Sequence, residues 1–518
     1  MAGHTVIRPR RIQPQPLSTL ARMPGLELAG PDEKVTGIAI HTDLILPGDL
    51  FVAVPGARAH GIEYWPAARA RGALAVLTDR AGWEQLADDL VPALIADTPR
   101  DWLGRVAQAV YATGSGEIPA LFAVTGTNGK TSTAYLLEAL MRSLGWLTAL
   151  STTAERMVAG VGYASTLTTP EAPDIHAMVA LAREESVSGI ALEVSAQALE
   201  KNRLDQIVVD VAGFTNLSHD HFEDFGGMER YLLAKAALFT PERARSGVVC
   251  VDTEWGRRLV EVASVPVWTV AEAGVGDADW TYRVTEEVAE GTSFEVCGPQ
   301  GACLRVSAPV IGAHMVANAA LALVMLIRGG VPVEALEAAV GRATAGIPVF
   351  LPGRIERVSG EAGPAVFVDA GRSEDAYRKT LATIRARTTG RLVMVCGTSG
   401  NRDASKRPLM GQAAAELADV VIVTDDDPRR EDPDQIRRGL LEGARSVPGA
   451  AVHEVPDPSD AIRFAVSLVA EGDSILWSGP GSQSYRDIAG EKVPYSARDE
   501  ARSSLREAGW PTPGGAGG

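Results

Sequence analysis

The stretch Val124-Thr125-Gly126-Thr127-Asn128-Gly129-Lys130-Thr131-Ser132 carries the strongest chemical signal in the chain. Glycines let backbone N–H groups approach phosphate oxygens, and a following helix N-terminus adds positive field. Lys130 is placed to neutralise β/γ-phosphate charge, and the Thr131 hydroxyl to meet a Mg²⁺ ion. Gly126, Thr127, Asn128, Gly129 and Ser132 complete the loop. The usual GxxxxGK[ST] spacing puts glycine where Val124 stands, so this is a compact variant. An apolar strand, the loop and a helix follow in the order a phosphate loop requires. That order points to ATP.

Three further positions suit metal-assisted phosphoryl transfer. Glu193 closes the apolar run Ile190-Ala191-Leu192, where a carboxylate needs an ion or a capping role. Asp220-His221 follow a second apolar run and the loop Asn216-Leu217-Ser218. Lys235 lies among Leu232, Leu233, Ala236 and Leu238 in a helical pattern. Singly, each has a bland reading: a strand-end cap, a turn histidine, a helix-surface lysine. Placed together after parallel strands, they favour a site at the carboxyl edge of a sheet.

The elements that must hold these residues alternate between strand and helix. Residues 121–125 read as a strand and 131–144 as a helix, with Leu136, Leu137, Leu140, Met141 and Leu144 on one face and Gly145 as its stop. Strands at 189–194 and 208–215 continue the βαβ pattern of a parallel sheet. Short strands at 35–40, 50–54 and 73–78 precede it. After Pro352-Gly353, strands at 365–369, 392–396, 420–424 and 474–478 form a second α/β unit. A length of 518 residues suits about three domains, here 1–112, 113–350 and 351–518, the last ending in a Pro/Gly tail that reads as disordered.

Lys plus Arg total 49 against 65 Asp plus Glu, a net charge of −16 that argues against wrapping a nucleic acid. No basic stripe with interleaved aromatics opposes that reading. Cys250, Cys297, Cys303 and Cys396 are too few for a disulfide framework and lack zinc spacing. Cys297 and Cys303 flank a hairpin at Gly298-Pro299-Gln300-Gly301; a bridge is open to them, but two buried thiols is the preferred reading. Arg8, Arg10 and Arg11 precede no apolar stretch, and the most apolar segment, 316–327, is too short to span a bilayer. The expectation is a soluble cytoplasmic protein without membrane partners.

Several segments together resemble the Mur ligase family, closest to its MurE-type members, over nearly the whole chain. They are Pro47-Gly48-Asp49-Leu50-Phe51-Val52-Ala53, the loop 125–131, Thr168-Thr169-Pro170-Glu171 and Glu193-Val194-Ser195. Further on stand Phe214-Thr215-Asn216-Leu217-Ser218, Asp220-His221, Leu351-Pro352-Gly353-Arg354, Arg402-Asp403 and Lys406-Arg407-Pro408-Leu409-Met410-Gly411. The resemblance implies an α/β, three-domain architecture: an acid-substrate domain, a central P-loop domain on a parallel sheet, and a Rossmann-like domain for the amine. It also implies ATP-dependent amide formation. A substrate carboxylate attacks the γ-phosphate to give an acyl phosphate and ADP, and an amine then displaces phosphate.

By the same resemblance, Lys130, Glu193, His221 and Lys235 form the catalytic set. Thr131 and Glu193 hold one Mg²⁺, His221 helps to hold a second, and Lys235 is carried as a carbamate. Arg354 and Asp369 engage the nucleotide, Asn318 contacts adenine, and Thr168, Thr169, Ser195 and Arg203 face the acid substrate. Family members tend to be monomers with small-molecule substrates.

The departures gather on the substrate side. The family's Asp-Ser-Arg is His41-Thr42-Asp43, and its Asp-Gly-His is His60-Gly61-Ile62, which removes an arginine expected for a nucleotide diphosphate. Asp-Tyr-Ala-His becomes Asp369-Ala370-Gly371-Arg372, and Gly-Lys-Gly-His-Glu becomes Gly479-Pro480-Gly481-Ser482-Gln483. Gln483 thereby lacks the carboxylate that would pair with a diamino acid. Asp-Asn-Pro-Arg appears as Asp426-Asp427-Pro428-Arg429; a substrate ammonium is expected at Asp426 or Asp427, and carboxylate forks at Arg402 and Arg429. Arg372 reads as a carboxylate or phosphate ligand or as a solvated side chain, the latter preferred. Met315 replaces a nucleotide-side asparagine. Retained ATP chemistry with altered substrate contacts leads to the expectation of a specialised-metabolism ligase. The alternatives are a housekeeping ligase building the UDP-N-acetylmuramoyl-tripeptide of peptidoglycan, and a silent binding protein, which retention of the catalytic set disfavours.

Overall fold

The computed structural model describes residues 6–56, 59–86, 90–165, 167–219, 225–288, 291–341 and 346–513. Their larger sheets are three. The first, five-stranded, orders Glu27–Ala29, Ala93–Ile95, Ala75–Thr78, Asp49–Val52 and Gly37–Ala39, parallel except at the Glu27–Ala29 edge. The strand expected at 35–40 is split: Lys34–Val35 pairs with Gln15–Pro16, and the Thr36 N–H between the two pieces turns to the Gly48 carbonyl at 2.9 Å.

The eleven-stranded central sheet has a parallel heart of Thr148–Ser151, Gly189–Glu193, Ala120–Thr125, Val209–Phe214 and Ala244–Cys250. Glu193 pairs in register with Val124, and Phe214 with Thr125, so the phosphate loop leaves the sheet between the two strands that carry the other site residues. Antiparallel strands extend both edges, with Arg156–Val158 and Val161–Tyr163 at one and Gly291–Cys297 and Cys303–Ala308 at the other. On the second extension Cys297 stands directly across from Cys303 and the two form a disulfide. This corrects the expectation of two buried thiols: opposed cross-strand positions bring side chains together, and this pair is not enclosed by the core.

The C-terminal sheet runs Ala365–Asp369, Ser474–Ser478, Leu392–Cys396, Val420–Val423 and Ala451–Glu454 in parallel, with a short antiparallel strand at Glu356–Arg357. Alternate residues feed two cores: Leu392, Met394 and Cys396 on one face, Val393, Val395 and Trp477 on the other. Apolar residues on both faces are what a doubly wound sheet requires, and each buried Val or Leu stabilises it by about 1.5–3 kcal/mol. No described helix is long and apolar enough to cross a membrane.

The helix Ala172–Glu184 buries His176 completely. Its Nδ1 lies 2.5 Å from Thr113 Oγ1, and its Nε2 lies 3.0 Å from the Asp205 carbonyl oxygen. A carbonyl only accepts, so Nε2 carries the hydrogen of a neutral ring. Burial pushes its pKa from 6.5 down to about 4, with the carbonyl opposing. Between those values the unfolded chain binds a proton that the folded chain refuses. Stability therefore falls as pH drops through this window, by about 1.4 kcal/mol per pH unit, and levels off below it. Urea midpoints measured at about pH 7 and about pH 5 should show the loss, and His176→Gln should flatten it. Equal losses in the two proteins would remove His176 as the cause.

Candidate functional site

Gly129 precedes the helix Lys130–Ser143, whose first turn has no side-chain cap. Its N–H groups are thus available to an anion. Gly126 and Gly129 have φ of +149° and +87°. A Cβ at Gly126 would collide with Thr215 Oγ1, and one at Gly129 with Asn318 Oδ1. Asn318 is thereby placed against the loop. Thr215 Oγ1 donates to the Asn128 carbonyl at 2.6 Å, and Asn216 Nδ2 to the same oxygen at 3.0 Å. Asn216 Oδ1 accepts from Asn128 N at 3.1 Å, and Thr127 Oγ1 from Ser218 N at 3.1 Å. Lys130 Nζ donates to the Gly126 and Thr127 carbonyls at 3.1 and 2.8 Å, which sets its charge over the loop. Ser132 is buried on the first helical turn. This cradle fits a polyphosphate.

Thr131 Oγ1 donates to Glu193 Oε2 at 2.9 Å and accepts from Arg354 Nη2 at 2.9 Å. Glu193 is buried and also receives Thr153, through N at 2.8 Å and Oγ1 at 3.1 Å. A hydroxyl beside a buried carboxylate is a hard-oxygen pair that fits Mg²⁺. Sequence reasoning missed Thr153; its only signal was a threonine pair following a strand. Lys235 is no surface lysine. It is 1% exposed, with Nζ 2.7 Å from the Gly126 carbonyl and 4.2 Å from the Tyr231 ring centre. Asp220 and His221 lie outside the described residues.

The four residues expected to face the acid gather beside Glu193. Thr169 Oγ1 donates to the Glu193 carbonyl at 3.1 Å and accepts from Ser195 N at 3.0 Å. Ser195 caps the helix Ala196–Glu200, and Thr168 Oγ1 lies 3.0 Å from Thr153 Oγ1. Arg203 donates to the Thr169 carbonyl at 3.1 Å and pairs at 3.0 Å with Glu171, another residue the sequence reading did not assign. Nearby lies a cavity of about 180 Å³ lined by His41, Leu44, Arg156, Leu167, Glu171 and Asp174. Arg156 is 8% exposed, its Nε has no hydrogen-bond partner, and burial lowers its pKa. Asp43, by contrast, points to solvent and pairs with Arg71 at 3.3 Å. His60 serves its own turn, accepting from Ile62 N at 3.0 Å and meeting Asp79 at 3.1 Å.

The C-terminal unit reaches the phosphate loop through Arg354 and through Asn128 Nδ2, which donates to Asp375 at 3.0 Å. Asp369 accepts from Ile355 N at 3.1 Å and Gly371 N at 2.7 Å, so it shapes the turn behind Arg354. The solvated reading of Arg372 is corrected. Its Nε lies 2.8 Å from Asp426, and Nη2 lies 3.4 Å from Asp427 and donates to Gln483 Oε1 at 2.6 Å. Burial opposes its charge, yet Asp426 and Asp427 hold its pKa above the ordinary value. The two carboxylates expected to await a substrate ammonium are paired within the protein. Arg429 is half-buried at φ +54°, and Arg402 is exposed.

Residues 34–111 match the family model described as Mur ligase family, catalytic domain. Residues 124–326 match the Mur ligase middle domain, and 353–481 the Mur ligase, glutamate ligase domain. The chain is 49% identical to the UDP-N-acetylmuramyl-tripeptide synthetase of Leifsonia xyli subsp. xyli, over 98% of its own length and 99% of the other. It is 40% identical to the UDP-N-acetylmuramoyl-L-alanyl-D-glutamate--2,6-diaminopimelate ligase of Streptomyces coelicolor, over 96% and 98%. A solved structure of a ligase with that second name aligns with a TM-score of 0.60 at 26% identity, covering 92% of this chain and 96% of that one.

Proposed function

Since the chain belongs to the Mur ligase family, and is thereby an ATP-dependent ligase joining a carboxylate to an amine, we propose that it is the housekeeping tripeptide synthetase of peptidoglycan synthesis. Its acid substrate would be a UDP-N-acetylmuramoyl-dipeptide. The observation that carries this reading is the 49% identity, over nearly both whole lengths, to a relative of that name. It displaces the specialised-metabolism expectation, which rested on a few altered contacts. One of those contacts also loses its force physically. Asp43 is exposed and does not line the cavity, where Arg156 stands as a buried cation beside the carboxylates of Asp174 and Glu171.

In this reading, residues 1–112 hold the nucleotide end of the acid, 113–350 bind ATP, and 351–518 bring the amine. Thr168, Thr169, Ser195 and Arg203 orient the carboxylate beside Glu193. Lys130 and the N-terminus of the helix Lys130–Ser143 bear the charge of the transferring phosphoryl group, and Arg354 closes over Thr131. Thr131 and Glu193 would hold Mg²⁺, which supplies Lewis-acid stabilisation of phosphoryl oxygens. The carboxylate oxygen bonds to the γ-phosphorus as ADP leaves. The amine then bonds to the acyl carbon, phosphate departs, and the amine loses a proton.

Incubating the enzyme with UDP-N-acetylmuramoyl-dipeptide, ATP and a panel of amino acids should release ADP and phosphate and yield one tripeptide product, read by mass spectrometry. Absence of turnover with every amino acid overturns the reading.

A further inference from the structure

Parallel strands ending at Asp369, Val423 and Ser478 deliver Arg372, Asp426, Asp427 and Gln483 to one edge of the C-terminal sheet. That edge also carries Ser373 and Asp375, whose side chains take hydrogen bonds from Asn128 of the phosphate loop at 3.4 and 3.0 Å. The cluster therefore stands on the side where an acyl phosphate would meet its amine. Its hydrogen bonds close on themselves: Gln483 accepts from Arg372 at 2.6 Å and donates to Asp427 at 3.2 Å, while Asp427 Oδ1 accepts from Asp487 N at 3.2 Å.

We infer that Arg372 occupies, with a cation of the protein's own, the place where a side-chain ammonium would meet Asp426 and Asp427, so that the enzyme selects amino acids whose side chains end in an uncharged polar group. This rests on the reading of 351–518 as the amine-binding unit. The first support is charge. Two carboxylates are matched by Arg372 at contact distance and by Arg486, whose Nε donates to the Asp426 carbonyl at 2.7 Å. Arg429 adds a further cation; burial, Arg402 and Arg372 all depress its pKa, against Asp427 and Asp487. An incoming ammonium thus meets a neighbourhood already balanced or positive, and like charges in a desolvated site repel strongly. The second support is donor inventory. An ammonium is all donor, as is a guanidinium, so the two have nothing to exchange. A hydroxyl can accept from the guanidinium and donate to a carboxylate. The third is position 483, where a neutral amide completes the cluster without adding negative charge.

The test uses the full-length enzyme with UDP-N-acetylmuramoyl-dipeptide, ATP and isosteric amino-acid pairs: homoserine against 2,4-diaminobutyrate, and 6-hydroxynorleucine against lysine. Within the pair of better length, the hydroxyl member should have at least about tenfold higher kcat/KM. Gln483→Glu, which adds a carboxylate beside Arg372, should lower that ratio about tenfold, and Arg372→Met should do the same, while Arg372→Lys restores the preference. Gln483→Glu alters charge on a half-buried side chain and so does not depend on the fold tolerating loss of Arg372. A wild-type enzyme that uses the diamino member as well or better overturns the inference and leaves the tripeptide reading intact. So does an unchanged ratio in folded Gln483→Glu. Failure to turn over any amine overturns both.

Discussion

Lys130→Ala is expected to fold normally and to lose about 10²–10³-fold in the rate of ADP formation. Its Nζ is held over the loop by the carbonyls of Gly126 and Thr127, which accept its hydrogens at 3.1 and 2.8 Å. Those two bonds are modest in water-exposed terms, so their loss barely touches stability. The catalytic loss is larger because negative charge on the γ-phosphoryl oxygens grows during transfer, and a fixed cation stabilises it without reorganisation. Lys130→Arg should recover little. A planar fork cannot reproduce a point charge at this loop, whose glycines already lie against Thr215 and Asn318. ADP release under saturating acid and amine measures the effect, and thermal melting checks the fold. A rate within about threefold of wild type would remove Lys130 from the chemistry.

Much of this site was legible because the phosphate loop is a local object. Strand, glycines, lysine and helix start lie within a dozen residues, and backbone conformation alone dictates where glycine must stand. Glu193 was legible for a related reason: a carboxylate ending a buried strand demands compensation, and Thr131 and Thr153 supply it. Thr153 itself was not legible. Its role follows from the pairing of Thr148–Ser151 with Gly189–Glu193, and register between distant strands leaves no trace in local spacing. Arg156 and Arg372 were misjudged or missed for the same reason, since an isolated arginine reads as solvated until the topology buries it. The hairpin at Gly298-Pro299-Gln300-Gly301 was legible, but its place at the antiparallel edge of the central sheet was not. Strands such as Gly291–Cys297 alternate like any half-buried strand, and nothing local says which sheet they extend. The disulfide depended on that hairpin.

Lys235→Ala is the second substitution with a large expected effect, a loss of about 10²–10³-fold that short carboxylates such as acetate should partly reverse. Lys235 is 1% exposed, next to the Gly126 carbonyl and the Tyr231 ring, at the base of the phosphate loop. A lysine so enclosed is costly to keep for packing alone, because removing a charge from water is unfavourable unless the site uses it. Carbamylation would give it a use. The neutral amine nitrogen would bond to the carbon of CO₂ and shed a proton, converting a cation into an anion suited to a metal ion at the phosphate loop. A plain ammonium there would repel Mg²⁺. The two states make opposite predictions: an ammonium role predicts rescue by small amines, a carbamate role predicts rescue by small carboxylates. The carbamate also predicts that CO₂-depleted wild-type enzyme loses activity and regains it with bicarbonate, without any change in melting temperature. Rescue by amines, or indifference to bicarbonate, would return Lys235 to a cationic role at the loop.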